Sequence, residues 1–276
     1  METTQQNSGS KSSINRLWRP AAQRNMKNQW SKFNLIRREW VSSSSSARSH
    51  ATSLVNTYLS HRYMKDMELG VLSDMPDIQT KACMKLLKQQ VVHRDNLLSS
   101  YKEMVGTVVN MVNTSMSLRC YLKAETNSPL IQFSNSSNDT NDNGDGGGIP
   151  VFIFWSISSF EKLAGELVQM FKLELKLKRL LVIDFLSLRS KEDSIIKRLC
   201  WTDEIYQGEF DDLSRCNLDC REASESAPSK LDNGQLDPDV LQIYLTAWLT
   251  DVNIDKQRVE DIFSEVGEEM HVNLVS

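Results

Sequence analysis

The sequence predicts a mainly α-helical protein, organised as a long antiparallel helical hairpin or bundle with additional packed helices and two disordered linkers. Within residues 76–122, apolar or small side chains recur at alternating steps of four and three, the spacing of one helix face. Residues 20–70 repeat that spacing over thirty-three positions. Gly70 and the run 73–76 separate the two stretches, and a short connection between long helices predicts an antiparallel pair.

The second arm of this hairpin is the stretch around which the rest of the chain is arranged. Residues 76–122 contain one glycine and no proline after Pro76, so we expect one helix, roughly 70 Å long at ~1.5 Å per residue. Its face includes polar side chains, which is more typical of a helical bundle than of a strict zipper. The predicted face consists of Cys83, Leu87, Gln90, Arg94, Leu97, Tyr101, Met104, Val108, Met111, Ser115, Leu118 and Leu122.

The first arm keeps the same periodicity through a run of five serines at residues 42–46. Serine costs a few tenths of a kcal/mol relative to alanine in a helix, so we expect a bend or break there unless packing overrides propensity. The predicted buried face consists of Met26, Trp30, Phe33, Arg37, Trp40, Ser44, Ala47, Ala51, Leu54 and Tyr58.

Composition divides the remaining chain into linkers and short helical segments. Residues 124–150 and 211–236 have few apolar side chains, so burial cannot offset the conformational entropy that these stretches would lose on folding. The five residues 151–155 are too apolar to be exposed and predict a buried, strand-like or extended plug. We expect helices at 158–188, 195–206, 237–250 and 255–266, the last ending at Gly267. The predicted organisation is a disordered tail at 1–15, the hairpin at 16–123, a flexible Asn/Asp/Gly linker at 124–150, the plug and a helix packed on the hairpin at 151–210, an acidic linker at 211–236 and the C-terminal helices at 237–270.

Charge and cysteine usage set limits on the class of protein. The 276 residues carry a net charge of −4, which hides a strong asymmetry. Residues 1–50 hold nine Lys and Arg against two acids, whereas residues 201–276 hold five against eighteen. Five cysteines and a polar amino-terminal stretch favour reduced thiols in the cytoplasm or the nucleus. No apolar run approaches the ~18 residues of a membrane span, so we expect no membrane partner.

Motifs that would carry chemistry are incomplete. Residues 139–145 match the start of a calcium-binding loop, but its twelfth position, which needs a bidentate Glu, is Pro150. The nearby glycines lack the Lys and Ser or Thr of a phosphate-binding loop. Histidines and cysteines are scattered, without ligand spacing or a nucleophile's neighbours. We therefore expect no enzyme, no catalytic or metal-binding residue and no cofactor; the residues weighed are His50, His61, His93, Cys200, Cys216, Cys220 and His271.

Basic and aromatic residues alternate near the amino terminus, a pattern that can bind nucleic acid. However, Trp30, Phe33 and Trp40 fall on the apolar face, so the pattern indicates core packing, and we do not expect direct nucleic-acid binding. The serine run lies between Arg37, Arg38 and Arg48, which would stabilise a phosphate. The candidate phosphorylation sites are Ser42, Ser43, Ser44, Ser45 and Ser46.

Three runs carry a resemblance to a known family: WRPAAQRN at 18–25 with NQWSK at 28–32, RSHATSLVN at 48–56, and MELGVLSD at 67–74. They resemble a small plant-specific family, the heading-date repressor-like proteins, over residues 18 to about 190. The resemblance implies a non-enzymatic nuclear regulator or adaptor. It also implies repression of flowering in long days, together with an SNF1-related protein kinase and the flowering regulators which that kinase phosphorylates. No functional residue is carried over.

A second class stays open beside this one. A cytoskeletal or membrane-surface scaffold would use a basic face of the long hairpin on anionic lipid. The basic residues of its second arm are spread around the helix, which disfavours this alternative; they are Lys81, Lys85, Lys88, Arg94, Lys102 and Arg119.

Overall fold

The structure is a computed structural model that describes residues 7–64, 66–125, 128–132, 143–188, 199–218 and 236–274. It confirms the mainly helical fold class. Its elements are α1 (Asn7–Met64), α2 (Ile78–Met116), β1 (Tyr121–Glu125), β2 (Ser128–Gln132), α3 (Ile157–Leu186), α4 (Glu209–Arg215), α5 (Pro238–Thr250) and α6 (Lys256–Met270), with 3-10 turns at Gly70–Leu72 and Gly146–Gly148.

Helix α1 buries the predicted face between Met26 and Tyr58. Met26, Trp30 and Ala47 are fully buried, and so is each predicted position between Met26 and Tyr58 except Arg37, which is half-buried. The structure contradicts a break at residues 42–46, because α1 continues through the serines without interruption. Packing overrides propensity there, since the large ring of Trp40 and the small Ala47 are both buried on either side of the run.

Contacts divide the chain into two compact units. The first combines residues 1–38, 110–171 and 254–276, and the second combines 39–109 and 172–253. Each unit therefore contains parts of α1, α2 and α3.

In the first unit, α1 runs antiparallel to the end of α2. Trp18 Nε1 donates to the carbonyl of Cys120 at 2.8 Å, while Asn25 Nδ2, further along α1, donates to that of Ser117 at 2.8 Å. Gly146 permits this packing, because a Cβ there would lie only 2.3 Å from the Trp18 ring and its φ is +66°. The apolar core of this unit includes Trp18, Trp30, Phe33, Val151, Phe160, Leu167, Ile262 and Phe263.

In the second unit the same antiparallel order appears nearer the turn. Gln90 Nε2 lies 3.4 Å from the carbonyl of Thr57, and Gln79 Nε2 donates to that of Met64 at 2.7 Å. The predicted antiparallel hairpin thus agrees with the contacts in each unit. The apolar core of this unit includes Trp40, Ala47, Leu54, Tyr58, Leu97, Tyr101, Met104, Val182, Phe185 and Trp248.

The second unit also buries charged side chains. Lys178 is fully buried; its Nζ lies 2.8 Å from Glu174 Oε1 and 3.1 Å from Asp251 Oδ1. Arg179 pairs with the fully buried carboxylate of Glu209, with Nε and Oε1 2.8 Å apart. Removing such charges from water is costly unless they are paired, and both basic side chains have a carboxylate partner here.

Several predicted boundaries are wrong. Helix α1 begins at Asn7, within the predicted tail at 1–15. Helix α2 ends at Met116, six residues early. The chain then forms the antiparallel β1–β2 pair, which begins within the predicted hairpin and continues into the predicted linker 124–150. Residues 199–206 of the predicted helix 195–206 form turns, and the helix in this region is α4, which begins at Glu209. Helix α4 extends into the predicted linker 211–236, where its Leu213 is buried. Residues 133–142, 189–198 and 219–235 lie outside the described part.

The last two helices follow the prediction closely, apart from one end. The carboxylates of Asp237 and Asp255 accept hydrogen bonds from the amides of Asp239 and Arg258, as expected for residues that cap α5 and α6. Helix α6 passes the predicted stop at Gly267 and ends at Met270. A Cβ on Gly267 would lie 2.8 Å from the carbonyl oxygen of Val272, so this glycine permits close chain packing rather than ending the helix.

Candidate functional site

The most distinctive local structure is the segment 151–155, called the exposed loop below, which precedes α3. The amide of Val151 donates to the carbonyl of Trp155 at 2.8 Å and closes the loop. Val151 is fully buried, but Ile153 is 41% and Phe154 78% exposed. The predicted buried plug is therefore wrong at its centre, because the loop turns its most apolar residues outward.

One carboxylate holds the backbone of the exposed loop from one side. Glu269, in the last turn of α6, is 6% exposed. Its Oε1 accepts hydrogen bonds from three consecutive amides, those of Ile153 at 2.9 Å, Phe154 at 2.7 Å and Trp155 at 2.8 Å. Hydrogen bonds to an ionised acceptor are about twice as strong as neutral ones, so this contact fixes the turn firmly.

Helix α1 holds the same loop from the other side. Arg19 Nε donates to the carbonyl of Val151 at 3.0 Å, and Arg19 Nη2 donates to that of Phe152. Gln23 Nε2 also donates to the Val151 carbonyl, at 2.7 Å. Arg19 and Gln23 are four residues apart and so lie on one helix face.

Ring contacts decide which loop side chains face the core. The Phe160 ring lies edge-on to both Phe152 and Trp155, at centroid distances of 5.9 and 5.3 Å. Lys27 Nζ lies 5.7 Å from the centroid of Phe152, a favourable cation–π distance. These contacts hold Phe152 and Trp155 against the unit and leave Ile153 and Phe154 projecting from a fixed backbone.

A fixed, exposed aromatic side chain can serve as an anchor for a partner. Aromatic residues dominate binding energy at protein interfaces, and an anchor that is already ordered loses little conformational entropy on binding. The exposed loop offers no nucleophile, because its residues are Val, Phe, Ile, Phe and Trp. Across the described residues, no group of three or more His, Cys, Asp or Glu side chains is arranged to hold a metal ion.

The structure separates the five candidate serines. Ser43 and Ser44 are buried, at 5% and 7% exposure, whereas Ser42, Ser45 and Ser46 are exposed. The Ser43 hydroxyl donates to the carbonyl of Glu39 at 3.0 Å, and the Ser44 carbonyl accepts a hydrogen bond from Trp248 Nε1 at 3.1 Å. In the folded helix only the three exposed hydroxyls are available to a kinase, and phosphorylation itself stays a prediction.

Within the described part of the chain, the scattered histidines and cysteines form no group of three or more that could hold a metal ion. His61 is buried, and burial together with the positive charge of His50 lowers the pKa of His93. Burial raises the pKa of Cys216 to about 11, which makes it a poor nucleophile. Cys83, Cys120, Cys200 and Cys216 are free thiols. Cys220 and residues 139–142 of the calcium-like stretch lie outside the described part.

The basic and aromatic residues near the amino terminus separate into different environments. Trp18, Trp30, Phe33 and Trp40 are buried, so their rings are not available to stack on bases. This result agrees with the predicted core packing. Arg37 pairs with Glu260, its Nη1 lying 2.7 Å from Oε1.

The residues that build the exposed loop were missed by sequence reasoning. Arg19, Gln23 and Glu269 are separated from the loop by more than a hundred residues and form no motif with it. A weak signal is the run of five apolar residues directly before the predicted helix, whose hydrophobicity predicts a buried plug.

No protein-family model matches the chain, and no curated protein shows significant sequence similarity to it. Among the described helices, none is both long and apolar enough to cross a membrane.

Proposed function

We propose that the chain is a non-enzymatic adaptor or regulator that binds other proteins through surfaces presented by its helical bundle. The observation that carries the proposal is the exposed loop, in which Phe154 is 78% exposed on a backbone fixed by Glu269 and Arg19. Fully burying a Phe side chain contributes about 1.5–3 kcal/mol, so a partner with a matching apolar pocket would gain roughly tenfold to a hundredfold in affinity there.

The anchoring of the loop supports binding rather than accidental exposure. Three amides are satisfied by Glu269, and the carbonyls of Val151 and Phe152 by Arg19 and Gln23. A partner that covers the loop would therefore not bury these polar groups unsatisfied, which would otherwise cost about 1–3 kcal/mol each.

The identity of the partner and the cellular role rest on the family resemblance alone. It supports a nuclear regulator that represses flowering in long days together with an SNF1-related protein kinase and its flowering-regulator substrates. That kinase is therefore the first purified probe for the exposed loop.

The test compares three full-length chains: wild type, Phe154→Ala and Leu249→Ala, the last removing an exposed apolar side chain, 53% accessible, from α5. Each is titrated with the purified kinase by calorimetry and used as bait in plant nuclear extract with quantitative mass spectrometry. We expect all three to fold with equal Tm and Phe154→Ala alone to lose binding at least tenfold. Equal binding by all three chains would contradict the proposal.

The same chains distinguish the scaffold alternative. Vesicles of phosphatidylcholine with 30% phosphatidylserine serve as the probe for a lipid surface. If wild type binds them and Phe154→Ala does not, while neither the kinase nor any extract protein depends on Phe154, the loop serves a membrane surface and the adaptor proposal fails.

Phosphorylation would regulate this adaptor at the exposed hydroxyls of Ser42, Ser45 and Ser46. A phosphate adds a charge of about −1.5 to −2 beside a basic stretch of α1. Replacing the three exposed serines with Asp and, separately, with Ala tests this against a matched chain in which only the buried Ser43 and Ser44 are replaced with Ala. Equal binding by the Asp and Ala forms, with no phosphate on the peptide in cells, would contradict it.

A further inference from the structure

The turn between α1 and α2 exposes apolar side chains in an acidic setting. Every residue of 66–77 is exposed except Leu69, which is half-buried. Four large apolar side chains are among them: Val71 is 92% exposed, Met67 59%, Met75 54% and Leu72 42%. The same twelve residues contain four carboxylates and no Lys or Arg. We call residues 66–77 the hairpin tip.

The hairpin tip is held by a succession of short turns. The amide of Leu72 donates to the carbonyl of Leu69 at 2.9 Å, and the amide of Met75 donates to that of Leu72 at 3.0 Å. At its base, Gln79 Nε2 donates to the carbonyl of Met64 at 2.7 Å. The exposed apolar side chains therefore project from an ordered backbone, which reduces the entropy lost on binding.

We infer that the hairpin tip is a docking site for a partner protein with an apolar groove bordered by Lys and Arg. Apolar side chains clustered in one turn and exposed to this degree mark an interaction site. The surrounding carboxylates favour a partner whose groove has a basic border, because opposite charges attract across an interface. They disfavour a partner with an acidic border, because like charges repel. Nucleic acid and anionic membranes carry the same sign of charge as the tip and are disfavoured.

This inference rests on the proposed adaptor function but on different residues, since the exposed loop belongs to the first unit and the hairpin tip to the second. An adaptor with two such sites holds two partners, or two parts of one partner. Simultaneous binding at two linked sites raises the overall affinity without any new contact.

The first experiment identifies what touches the tip. The photo-cross-linking amino acid p-benzoylphenylalanine replaces Val71 in the full-length chain and, as a matched control, Val41, an equally small residue that is 63% exposed on α1. Both chains are irradiated in plant nuclear extract, and adducts and their cross-linked peptides are identified by mass spectrometry. We expect an adduct specific to position 71 whose peptide is rich in Lys or Arg.

The second experiment measures binding of that purified protein by calorimetry. We expect the Val71→Ser/Met75→Ser chain to bind at least tenfold more weakly. A chain with Asp66→Asn, Glu68→Gln and Asp74→Asn should lose about threefold at low salt and show a weaker salt dependence. Val41→Ser is the control, for which we expect unchanged affinity.

Several outcomes would overturn the inference: no adduct above that of the Val41 position, a cross-linked peptide without basic residues, or equal affinity of the tip variants and wild type. An adduct with a second copy of this chain, with a dimer in light scattering, would replace the inferred partner by self-association. Phe154→Ala is measured in parallel. If only Phe154→Ala loses affinity, the inference about the hairpin tip is contradicted and the proposal about the exposed loop stands. If only the tip variants lose affinity, the inference about the hairpin tip stands and the proposal about the exposed loop is contradicted.

Discussion

Two irregular segments of this molecule satisfy their backbones with the same chemical groups but place the two charges differently. In the exposed loop, Glu269 accepts from amides and Arg19 donates to carbonyls. In the segment 199–210, Glu209 Oε2 accepts from the amide of Ile205 at 2.7 Å, and Arg179 donates to the carbonyls of Trp201 and Asp203. In each segment a carboxylate and a guanidinium thus hold backbone groups. Gln23 adds a hydrogen bond to the exposed loop, and the carboxylates of Asp203 and Glu204 add theirs to the segment 199–210.

The difference lies in whether the two charges meet. Arg179 and Glu209 form a bidentate pair, with Nε to Oε1 at 2.8 Å and Nη2 to Oε2 at 3.2 Å, and both side chains are buried. The Arg179 guanidinium also lies 4.5 Å from the ring of Trp201. Glu269 and Arg19 instead hold different backbone groups of the exposed loop. The first arrangement buries both charges beneath a segment whose residues 199–208 are half-buried or exposed, whereas the second holds a loop whose central side chains remain in solvent.

The comparison predicts its largest effect at the buried pair. Glu209→Ala removes the partner of a buried guanidinium, so we expect a loss of about 3–5 kcal/mol in the free energy of unfolding, measured by urea titration. The double variant Arg179→Met/Glu209→Leu removes both charges and should recover part of that loss. A loss below about 1 kcal/mol for Glu209→Ala would show that the pair does not organise this segment.

A smaller and more local effect is expected at the exposed loop. Glu269→Ala leaves the amides of residues 153–155 without their acceptor, and we expect a loss of about 1–3 kcal/mol. Hydrogen exchange should become faster at those three amides while the core of α3 stays protected. Glu268→Ala, which changes an exposed neighbouring carboxylate, is the control and should leave both quantities unchanged. Unaltered exchange in Glu269→Ala would mean that the loop is fixed by Arg19 and Gln23 alone.

The same comparison explains what could be predicted from the sequence. Apolar periodicity is a local property, so the buried faces around Trp30 in α1 and Leu97 in α2 followed directly from spacing. The hairpin and the starts of the last two helices near residues 237 and 255 were predicted for the same reason. Each depends on residues within a few positions of one another.

The exposed loop could not be predicted, because its anchors act over long distances. Glu269 is more than a hundred residues away in sequence from the amides whose hydrogen bonds it accepts. Arg19 is likewise more than a hundred residues away from the carbonyls to which it donates. Hydrophobicity alone predicts that Phe154 is buried. Composition does not reveal that a buried carboxylate holds the backbone of the loop so that the Phe154 side chain projects into solvent. The uninterrupted helix at Ser43 and Ser44 has a similar cause, because tertiary packing outweighs propensity there.

The smallest predicted effect is a pH dependence of stability, which we expect near Glu209 but not at the exposed loop. Burial, and then the charge and hydrogen bond of Glu209, raise the pKa of Tyr101 well above its usual value of 10, and its hydroxyl lies 2.7 Å from Glu209 Oε1. Because the folded-state pKa is the higher one, this tyrosine's contribution is intact below pH 10. Above pH 10 the unfolded chain loses the phenol proton while the folded chain retains it, so stability falls by up to about 1.4 kcal/mol per pH unit for this group.

Tyr101→Phe should therefore cost about 1 kcal/mol at pH 7, where it loses a hydrogen bond, and reduce the decline in stability between pH 10 and 11. Burial also raises the pKa of Tyr244, to about 12. Tyr244→Phe should therefore also reduce the decline in stability between pH 10 and 11, but it should leave the hydrogen bond between Tyr101 and Glu209 intact. The exposed loop contains no phenol, and its amide exchange, corrected for the intrinsic pH dependence, should not change over this range. Urea titrations at pH 7, 10 and 11 measure the first two effects. An equal decline in wild type and Tyr101→Phe would show that this tyrosine ionises in the folded protein as readily as in the unfolded chain.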